Sequence, residues 1–416
     1  MIAQAFPKDF QRYLAVPVLG PMMDRYAAWL FEQRYTHRST RYELRMAARA
    51  SEFLLCQGFQ CVQDVNEHDL QDCYQWFRHK FPKEEGGVRT LSRFLLEQAL
   101  LRPPPVPEPT RREVLLNGFM THLRDDRGYA PATVKRQAVI VSEFLDCISF
   151  DEAHARLASL KIADIENFMQ HMGKRMGRVA LQKVSSTLRN FLRYLAANGG
   201  VPLGLENQID APRVYRQEKL PRALPWQTVQ AFLRSIDRKT AIGKRDYAMF
   251  SLIATFGLRA CDIVALKLDD IKWRQERIEV CQTKTGNPLE LPLTDEVGAA
   301  IYDYLKGVPR YGNYRELFLR IRAPMGILKS TAVIEAFQCW SRKSGLGIPY
   351  KGTHCLRHSY ALYLFRRGLP LKTIGDLMGH RTPESTGIYI RLTSEDLREV
   401  ALNVPTISGV EKEVMP

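Results

Sequence analysis

Apolar residues recur at helical spacing over most of the chain, which predicts a mainly helical protein. The pattern is clear at Thr133 to Leu145 and at Val179 to Leu195. In the C-terminal half, helical patterns alternate with turns. The helices predicted there cover about Trp226 to Ser235, Lys244 to Thr255, Ala260 to Leu266, Asp295 to Lys306, Ser330 to Lys343, His354 to Arg367 and Leu371 to Met378.

Two short segments of the C-terminal half predict strands. Arg277 to Cys281 (RIEVC) and Leu289 to Leu293 (LELPL) are joined by the turn-rich segment Gln282 to Pro288, which predicts a hairpin. The expected fold class is therefore mainly α, with a small antiparallel β-sheet in a C-terminal α+β domain and helical domains before it.

Two proline-rich breaks divide the chain. Pro103 to Pro109 (PPPVPEP) cannot sustain a helix and predicts an extended spacer, and a second break runs from about Val201 to Pro225. A chain of 416 residues also exceeds the usual size of one hydrophobic core. The expected divisions are an additional helical domain at 1–102, a linker at 103–111, a helical domain at 112–200, a linker at 201–219, the α+β domain at 220–393 and a C-terminal tail or helix at 394–416.

The stretches on either side of the first break resemble two copies of one unit. Ser51 to Leu54 (SEFL) recurs as Ser142 to Leu145. Duplication of a small helical domain is the favoured interpretation, and chance resemblance between amphipathic helices is the alternative. Further matches in the same order are Tyr35 and Thr40 with Tyr129 and Thr133, Asp69-Leu70 with Asp164-Ile165, Thr90-Leu91 with Thr187-Leu188, and Phe94-Leu95 with Phe191-Leu192.

The charge balance indicates a polyanionic partner. The formal net charge is +15, which favours nucleic acid through counterion release and leaves an anionic membrane surface as the weaker alternative. A membrane surface would require a basic amphipathic helix with a broad apolar face, and none is evident. No stretch approaches the roughly 18 apolar residues of a membrane span, and Met1 to Asp9 lacks a signal-peptide core, so we expect a cytoplasmic protein.

The eight cysteines are scattered and form no CxxC pair. This distribution predicts reduced, mostly buried thiols and disfavours disulfides or a zinc knuckle. The cysteines are Cys56, Cys61, Cys73, Cys147, Cys261, Cys281, Cys339 and Cys355.

The C-terminal half also supplies the groups needed to cleave a phosphodiester without a metal. That reaction requires cations around the non-bridging oxygens, a nucleophile and an acid for the leaving oxygen. Arg259 stands where a turn meets a helix, with Asp262 one turn later and able to orient it. His354 and Arg357 are three residues apart, so both project from one helix face. The remaining candidates are His380, after the helix-ending Gly379, and Tyr389, nine residues beyond it.

Each of these elements has a plainer interpretation when taken alone. An arginine after Gly-Leu is common, and a lone tyrosine is normally part of a core. A histidine pair such as His354 and His358 is more often a packing arrangement than a metal site. A zinc protease is disfavoured, because HCLRH has Cys355 where the HExxH motif requires an acid.

The order of the segments resembles that of the tyrosine recombinases, the family of phage integrases, Xer-type resolvases and Cre. In that family a first arginine lies in a G-L-R-x-x-E/D box and a lysine in a hairpin turn; an H-x-x-R box, a G-H box and the nucleophilic tyrosine follow. The resemblance is specific over Leu220 to Thr393 and looser over Glu113 to Gly200, the region of a DNA-clasping core-binding domain. The matching segments are Thr255 to Leu266 (TFGLRACDIVAL), Lys284 in TKTGNPLELPL, Gly352 to Leu364 (GTHCLRHSYALYL) and Ile374 to Tyr389 (IGDLMGHRTPESTGIY).

This resemblance implies a site-specific DNA recombinase that requires neither cofactor nor metal. Tyr389 would attack the scissile phosphate to give a 3′-phosphotyrosine, and His354 would help to withdraw the phenolic proton. Lys284 would protonate the leaving 5′-oxygen. The non-bridging phosphate oxygens would be held by Arg259, Arg357 and His380.

Lys284 has neighbouring lysines that compete with it, and Asp262 departs from the residue most common in the family. Lys267 and Lys272 lie near Lys284 in sequence, but they precede the first strand and fit the hairpin less well. Asp262 occupies a position where the family more often has glutamate, and we interpret it as structural support for the site.

The implied partner is double-stranded DNA, bound by a homo-tetramer on synapsed sites, with accessory DNA-bending or partner recombinase proteins as a further expectation. Ser394 to Asn403 predicts a short amphipathic helix, and packing on its own domain and docking into a neighbouring protomer are both open. The excess of positive charge makes a phosphate-facing surface and a solvated helix face comparable interpretations for seven basic residues. These are Lys135, Arg136, Lys174, Arg175, Arg178, Lys183 and Arg189.

Two other functions share parts of this pattern. A catalytically silent DNA-binding protein of the same fold would be expected to have a damaged catalytic set, and the set here is intact. A type IB topoisomerase uses the same chemistry to relax supercoils, but the G-H box and the duplicated N-terminal units fit recombination better. The setting implied is a mobile element or phage.

Overall fold

The computed structural model describes residues 1–82, 85–103, 108–151, 154–215, 221–379, 382, 384–387 and 389. Contacts divide the chain into two units, Met1–Pro104 together with Lys219–Pro416, and Pro105–Glu218. The predicted class, mainly helical with a small antiparallel sheet, is confirmed. Within these described residues, every helix is too short or too polar to cross a bilayer.

The helices before the first proline-rich break pack around one apolar core that includes Leu44, Leu54 and Phe94. Side chains just before their first residues fix where some of them begin: Thr36, which precedes α4, accepts a hydrogen bond from the backbone of Ser39 at 3.2 Å. The helices are α1 (Ile2–Ala5), α2 (Phe10–Leu14), α3 (Met23–Glu32), α4 (His37–Cys56), α5 (Glu67–Lys80) and α6 (Glu85–Glu97).

The second unit is built in the same way around the buried rings of Phe119, Phe144, Phe168 and Phe191. Its first helix continues into a π-helical turn at His122–Asp126. The helices are α7 (Arg111–Thr121), α8 (Pro131–Cys147), α9 (Ile162–Arg175) and α10 (Arg178–Ala197).

The proposed repeat extends from sequence to local geometry. Leu54 near the end of α4 and Leu145 near the end of α8 are both fully buried. The backbone N–H of Phe59 donates to Leu54 O at 3.1 Å, and that of Phe150 donates to Leu145 O at 3.0 Å. Both helices therefore end in the same turn, which supports duplication.

The starts of α5 and α9 match in the same manner. Asp69 accepts a hydrogen bond from the backbone N–H of Asn66 at 2.8 Å, and Asp164 accepts one from Lys161 at 3.0 Å. In each case the aspartate satisfies a backbone donor at the helix N-terminus and is followed by a buried apolar residue.

The C-terminal part folds around α12, in which eleven of the sixteen residues are buried among those of the neighbouring helices. The helices are α11 (Trp226–Arg234), α12 (Ala241–Phe256), α13 (Ala260–Ala265), α14 (Asp295–Gly307), α15 (Ser330–Ser344), α16 (His354–Arg366), α17 (Leu371–Met378) and α18 (Glu384–Gly387).

A three-stranded antiparallel sheet lies against these helices, in the order β1 (Ile271–Lys272), β2 (Arg277–Cys281) and β3 (Pro288–Pro292). In its register Ile278 pairs with Leu291, and both are buried. Strand β3 begins one residue earlier than predicted, because an edge strand tolerates a proline that donates no hydrogen bond. Strand β1 was not predicted, because a strand of two residues is too short to show an alternation of apolar and polar positions.

One expectation about the cysteines is wrong. All eight thiols are free, but only Cys73 and Cys355 are buried, whereas Cys56, Cys147 and Cys281 are exposed. The first two of these exposed cysteines lie in the last turn of α4 and α8, on the face turned away from the core. Sequence composition does not determine which helix face a cysteine occupies.

Replacement of equivalent buried leucines should reveal two cores of similar importance. We expect Leu54→Ala and Leu145→Ala each to lower the free energy of unfolding by about 2–5 kcal/mol, because each leaves a cavity. Leu55→Ala, at a side chain that is 41% exposed, is the matched control and should change stability by less than about 0.5 kcal/mol. Urea unfolding measures all three, and a neutral Leu145→Ala would contradict the core assignment.

Candidate active site

Arg259 lies at the start of α13, immediately after the turn that ends α12. The carboxylate of the buried Asp262 accepts a hydrogen bond from the Arg259 backbone N–H at 3.2 Å and lies 3.9 Å from its Nη1. Its other oxygen accepts from the backbone N–H of Thr283 at 2.9 Å. Asp262 therefore connects the arginine to the hairpin loop, a geometry that fits the supporting role expected of it.

Arg357 is 4% exposed and binds the ends of two other helices. Its guanidinium donates to Gly257 O at the end of α12 and, at 2.7 Å, to Met378 O at the end of α17. Carbonyl groups at helix C-termini carry partial negative charge, so they attract this cation. Burial, and then the charge of Arg259, lowers the pKa of Arg357 to about 10, which leaves the side chain charged at neutral pH.

Gln282, in the hairpin loop, was not among the predicted site residues. Its Oε1 accepts hydrogen bonds from Arg259 Nη1 at 3.2 Å and from Thr285 Oγ1 at 2.8 Å, while Nε2 donates to Met378 O at 3.2 Å. The side chain is fully buried. It joins the first arginine, the hairpin and the end of α17. Glutamine in a turn carries no sequence signal for this role.

Gly379 shows how closely these elements approach. It ends α17 with φ +59°, and a Cβ at this position would lie 2.0 Å from the Gln282 side chain. Both the backbone conformation and the lack of space therefore require glycine.

His354 and Lys284 lie at the exposed side of the same cluster. The pKa of His354 is lowered, first by partial burial and then by the positive charges of Arg357, Arg259 and Lys284. These four groups are therefore close enough to act on one ligand. Lys272, one of the two competing lysines, lies on the sheet and pairs with Glu279 at 3.3 Å, which favours Lys284 over it.

Tyr389 is 1% exposed and packs with Ala361, Ile374 and Met378. Burial raises the pKa of its phenol to about 12, although the charges of Arg357 and Arg259 oppose the shift. A phenol in this environment remains protonated at neutral pH and needs a proton acceptor to react.

The side chain that contacts the Tyr389 oxygen is that of His358, one turn after His354 on α16. His358 Nδ1 lies 3.0 Å from Tyr389 Oη. His358 was noted in the sequence only as part of a histidine pair. The signal was present, because residues four apart on a helix share a face.

The structure thus brings together Arg259, Lys284, His354, Arg357 and Tyr389, with Asp262 behind them. The predicted His380 and the predicted helix from Ser394 to Asn403 lie outside the described residues. Within the described part of the chain, no three His, Cys, Asp or Glu side chains are grouped so as to hold a metal ion.

Comparison with known proteins identifies the family of this chain. The model of the phage integrase family matches residues 223–396. A protein of Sinorhizobium fredii named as integrase/recombinase y4rA is 35% identical over 402 residues, which cover 94% of this chain and 97% of that protein. The chain belongs to the phage integrase family of tyrosine-type site-specific recombinases.

Other relatives of this recombinase match a shorter part of it. The tyrosine recombinase XerD of Listeria monocytogenes is 27% identical over 292 residues, 69% of this chain and 96% of XerD. A solved structure of a lambda integrase (75-356) dimer bound to a COC′ core site superposes with a TM-score of 0.51 at 18% identity, over 71% of this chain and 98% of that one. At that identity the structural likeness shows the fold.

The predicted DNA-facing residues of the recombinase lie on α8, α9 and α10. Arg189 differs from the others, because it is partly buried and donates to Ile209 O at 2.6 Å, where it holds the segment after α10. Arg175 lies 3.5 Å from Glu143. The exposed members of the set are Lys135, Arg136, Lys174, Arg175, Arg178 and Lys183.

Acid should destabilise the recombinase partly through His358. Burial, followed by the charges of His354, Arg357 and Arg222, lowers the pKa of His358 to about 4, whereas in the unfolded chain it titrates near about 6.5. Between these values the unfolded chain binds a proton that the folded chain does not, so stability falls as pH falls, by up to about 3 kcal/mol.

The measurement is urea unfolding at several pH values between these two limits. We expect His358→Asn to lose less stability than the unsubstituted chain as the pH is lowered. Equal losses in the two proteins would contradict a neutral, partly buried His358.

Proposed function

We propose that this recombinase cleaves and rejoins DNA strands through a 3′-phosphotyrosyl intermediate at Tyr389. The observation that carries the proposal is that Arg259 and Arg357 lie near the buried Tyr389 on one side and near His354, which also lies near Lys284, on the other. Arg259 is held by Gln282 of the hairpin, and Arg357 is held by the Met378 carbonyl at the end of α17. His354 lies on the same helix as Arg357. That arrangement is preorganised for a single phosphate.

The two arginines bind the scissile phosphate in this mechanism. Arg259 and Arg357 donate to its non-bridging oxygens, and their positions are fixed before DNA arrives by Asp262, Gln282 and the ends of α12 and α17. Preorganised donors cost no reorganisation as negative charge develops on these oxygens. His380 adds a further hydrogen bond in this proposal.

Lys284 protonates the 5′-oxygen as it leaves. Its side chain is exposed on the hairpin loop, where it can follow the departing strand, and its charge is close enough to act on His354. An ammonium group loses a proton far more readily than a guanidinium does, so lysine suits this step and arginine suits the binding step. His354, at the exposed side of the site, would donate to the same phosphate group.

The covalent intermediate makes an external energy source unnecessary. The phosphotyrosine bond conserves the energy of the broken phosphodiester, so a 5′-hydroxyl from either strand can reverse the attack. Exchange between two duplexes requires four strand cleavages, and each protomer supplies one Tyr389, so four protomers are needed. We therefore propose a homo-tetramer on synapsed DNA.

The extent of the matches favours an integrase of a mobile element over a chromosome-dimer resolvase. The Sinorhizobium fredii protein matches 94% of this chain, whereas XerD matches only 69% of the chain although 96% of XerD is covered. The chain therefore contains a segment, shared with a protein named as integrase/recombinase, that has no counterpart in XerD.

Genome-wide mapping of covalently trapped protein would identify the DNA site and test this setting. Supercoil relaxation assayed beside two-site recombination would separate recombination from topoisomerase activity.

Replacement of the nucleophile tests the chemistry directly. Tyr389→Phe should abolish the covalent protein–DNA complex on a nicked substrate carrying the mapped site, because phenylalanine has no oxygen to attack phosphorus. Its affinity for the same DNA should remain within about twofold, since the basic residues are unchanged. Gel electrophoresis under denaturing conditions measures the complex. A covalent complex formed by Tyr389→Phe would overturn the proposal.

A further inference from the structure

The imidazole beside the nucleophile belongs to His358, and the mechanism above does not use it. His358 Nδ1 lies 3.0 Å from Tyr389 Oη, and the two ring centroids are 5.7 Å apart. His354 lies one turn earlier on α16, at the exposed side of the site near Lys284. The two histidines therefore face different atoms of the reaction.

We propose that His358 Nδ1 holds Tyr389 Oη in place and accepts its proton during cleavage. The proposal rests on the proposed function. As the Oη–P bond forms, the Oη–H bond breaks and the proton passes to Nδ1; the P–O5′ bond breaks while Lys284 protonates the leaving oxygen. In rejoining, the imidazolium returns its proton to the phenol oxygen.

The surroundings keep this imidazole neutral and able to accept a proton. The charged groups acting on it are His354 and Arg357 on α16 and Arg222 in the segment before α11; together with burial they lower its pKa to about 4. Nδ1 therefore has a free lone pair at neutral pH in the tautomer that is protonated on Nε2. A weak base is sufficient, because the phenolic proton becomes strongly acidic as the Oη–P bond forms.

The Tyr389 phenol needs a proton acceptor because its environment disfavours ionisation. Burial raises the pKa of Tyr389 to about 12, and Arg357 and Arg259 offset only part of the shift. Hydroxide in solution has little access to a side chain that is 1% exposed, and its concentration at neutral pH is low. A proton acceptor already in contact with the oxygen removes both obstacles.

Cleavage of the mapped site by His358 variants tests the proposal. His358→Leu should slow single-turnover cleavage roughly 100-fold or more, with DNA affinity unchanged. His358→Asn can keep the hydrogen bond but cannot carry the proton. Its rate should be intermediate and should rise with pH, whereas the unsubstituted enzyme should show a level rate through neutral pH.

A sulfur-substituted substrate separates this role from that of Lys284. When a 5′-bridging sulfur replaces the leaving oxygen, a thiolate departs without protonation, so Lys284→Ala should regain most of its activity. His358→Leu should remain slow on the same substrate. Unchanged rates and pH profiles in both His358 variants would overturn the proposal, while the Tyr389→Phe result would stand independently.

A second inference concerns the N-terminal segment. A groove of about 680 Å³ lies between the segment 6–13 and one face of α4. At its floor the rings of Phe6 and Tyr13 are stacked, with centroids 4.4 Å apart. Cations outnumber carboxylates around it: the charged lining residues are Lys8, Arg12, Arg41, Arg45 and Arg49, against Asp9 and Glu52.

The arginines of this groove lie over aromatic rings. The guanidiniums of Arg41 and Arg45 are each 5.8 Å from the centroid of Phe6, and that of Arg12 is 6.0 Å from Tyr13. Stacking on a ring leaves the terminal N–H groups of a guanidinium available for phosphate oxygens, and among the described residues Arg41 uses only its Nε–H, which donates to the Ala5 carbonyl. The repeat supplies an independent observation: alignment of Ser51 with Ser142 places Arg45 opposite Arg136, an exposed residue of α8.

We infer that this groove binds the phosphate backbone of duplex DNA, as a contact additional to that of residues 112–200. The probe is a mixed-sequence duplex, with affinity measured by anisotropy over a series of salt concentrations. Arg41→Ala combined with Arg45→Ala should weaken binding roughly tenfold at low salt and reduce the salt slope by about 2.

A control double variant removes the same charge elsewhere in the N-terminal helices. Arg25→Ala combined with Arg78→Ala, at exposed positions outside the groove, should leave the affinity within about twofold. Arg45→Ala alone should reduce the slope by about 1 without loss of the contact between Arg41 and the Ala5 carbonyl. Equal effects of the two double variants would overturn the inference.

Discussion

The site depends on one buried cation that binds two helix ends. Arg357 donates to carbonyl groups at the C-termini of α12 and α17, where partial negative charge makes the burial of a guanidinium tolerable. These contacts fix where α12 gives way to Arg259 and where α17 gives way to the segment that leads to Tyr389. Arg357, which the family resemblance implies binds phosphate, therefore also holds together the helix ends that form the site.

Burial opposes ionisation throughout this site, with different consequences for each group. Arg357 stays charged despite a lowered pKa, His358 is kept neutral, and Tyr389 is kept protonated. The resting protein therefore holds a phenol and an imidazole in contact as two neutral groups. In the proposed mechanism, a bound phosphate would bring negative charge beside the cations Arg259 and Arg357, and the phenol would lose its proton only then.

Sequence reasoning reached most of the helices and the hairpin, because amphipathic spacing and turn composition are local properties. It placed Arg259, Lys284, His354, Arg357 and Tyr389 in one site through the order of their segments. It missed Gln282 and the contact of His358, since both depend on which atoms meet after distant elements pack. It also misjudged the exposure of cysteines such as Cys56, because a thiol gives no sign of the face it occupies.

The fully buried Gln282 has a consequence for how the hairpin moves. Its side chain is fastened to Arg259 on one side and to the Met378 carbonyl on the other, so the loop is tethered at its first residue. The residues on either side of Lys284 are held as well, Thr283 by Asp262 and Thr285 by Gln282. The reach of Lys284 is therefore set by the length of its own side chain, and a larger displacement of the loop would break the hydrogen bond between Gln282 and Arg259.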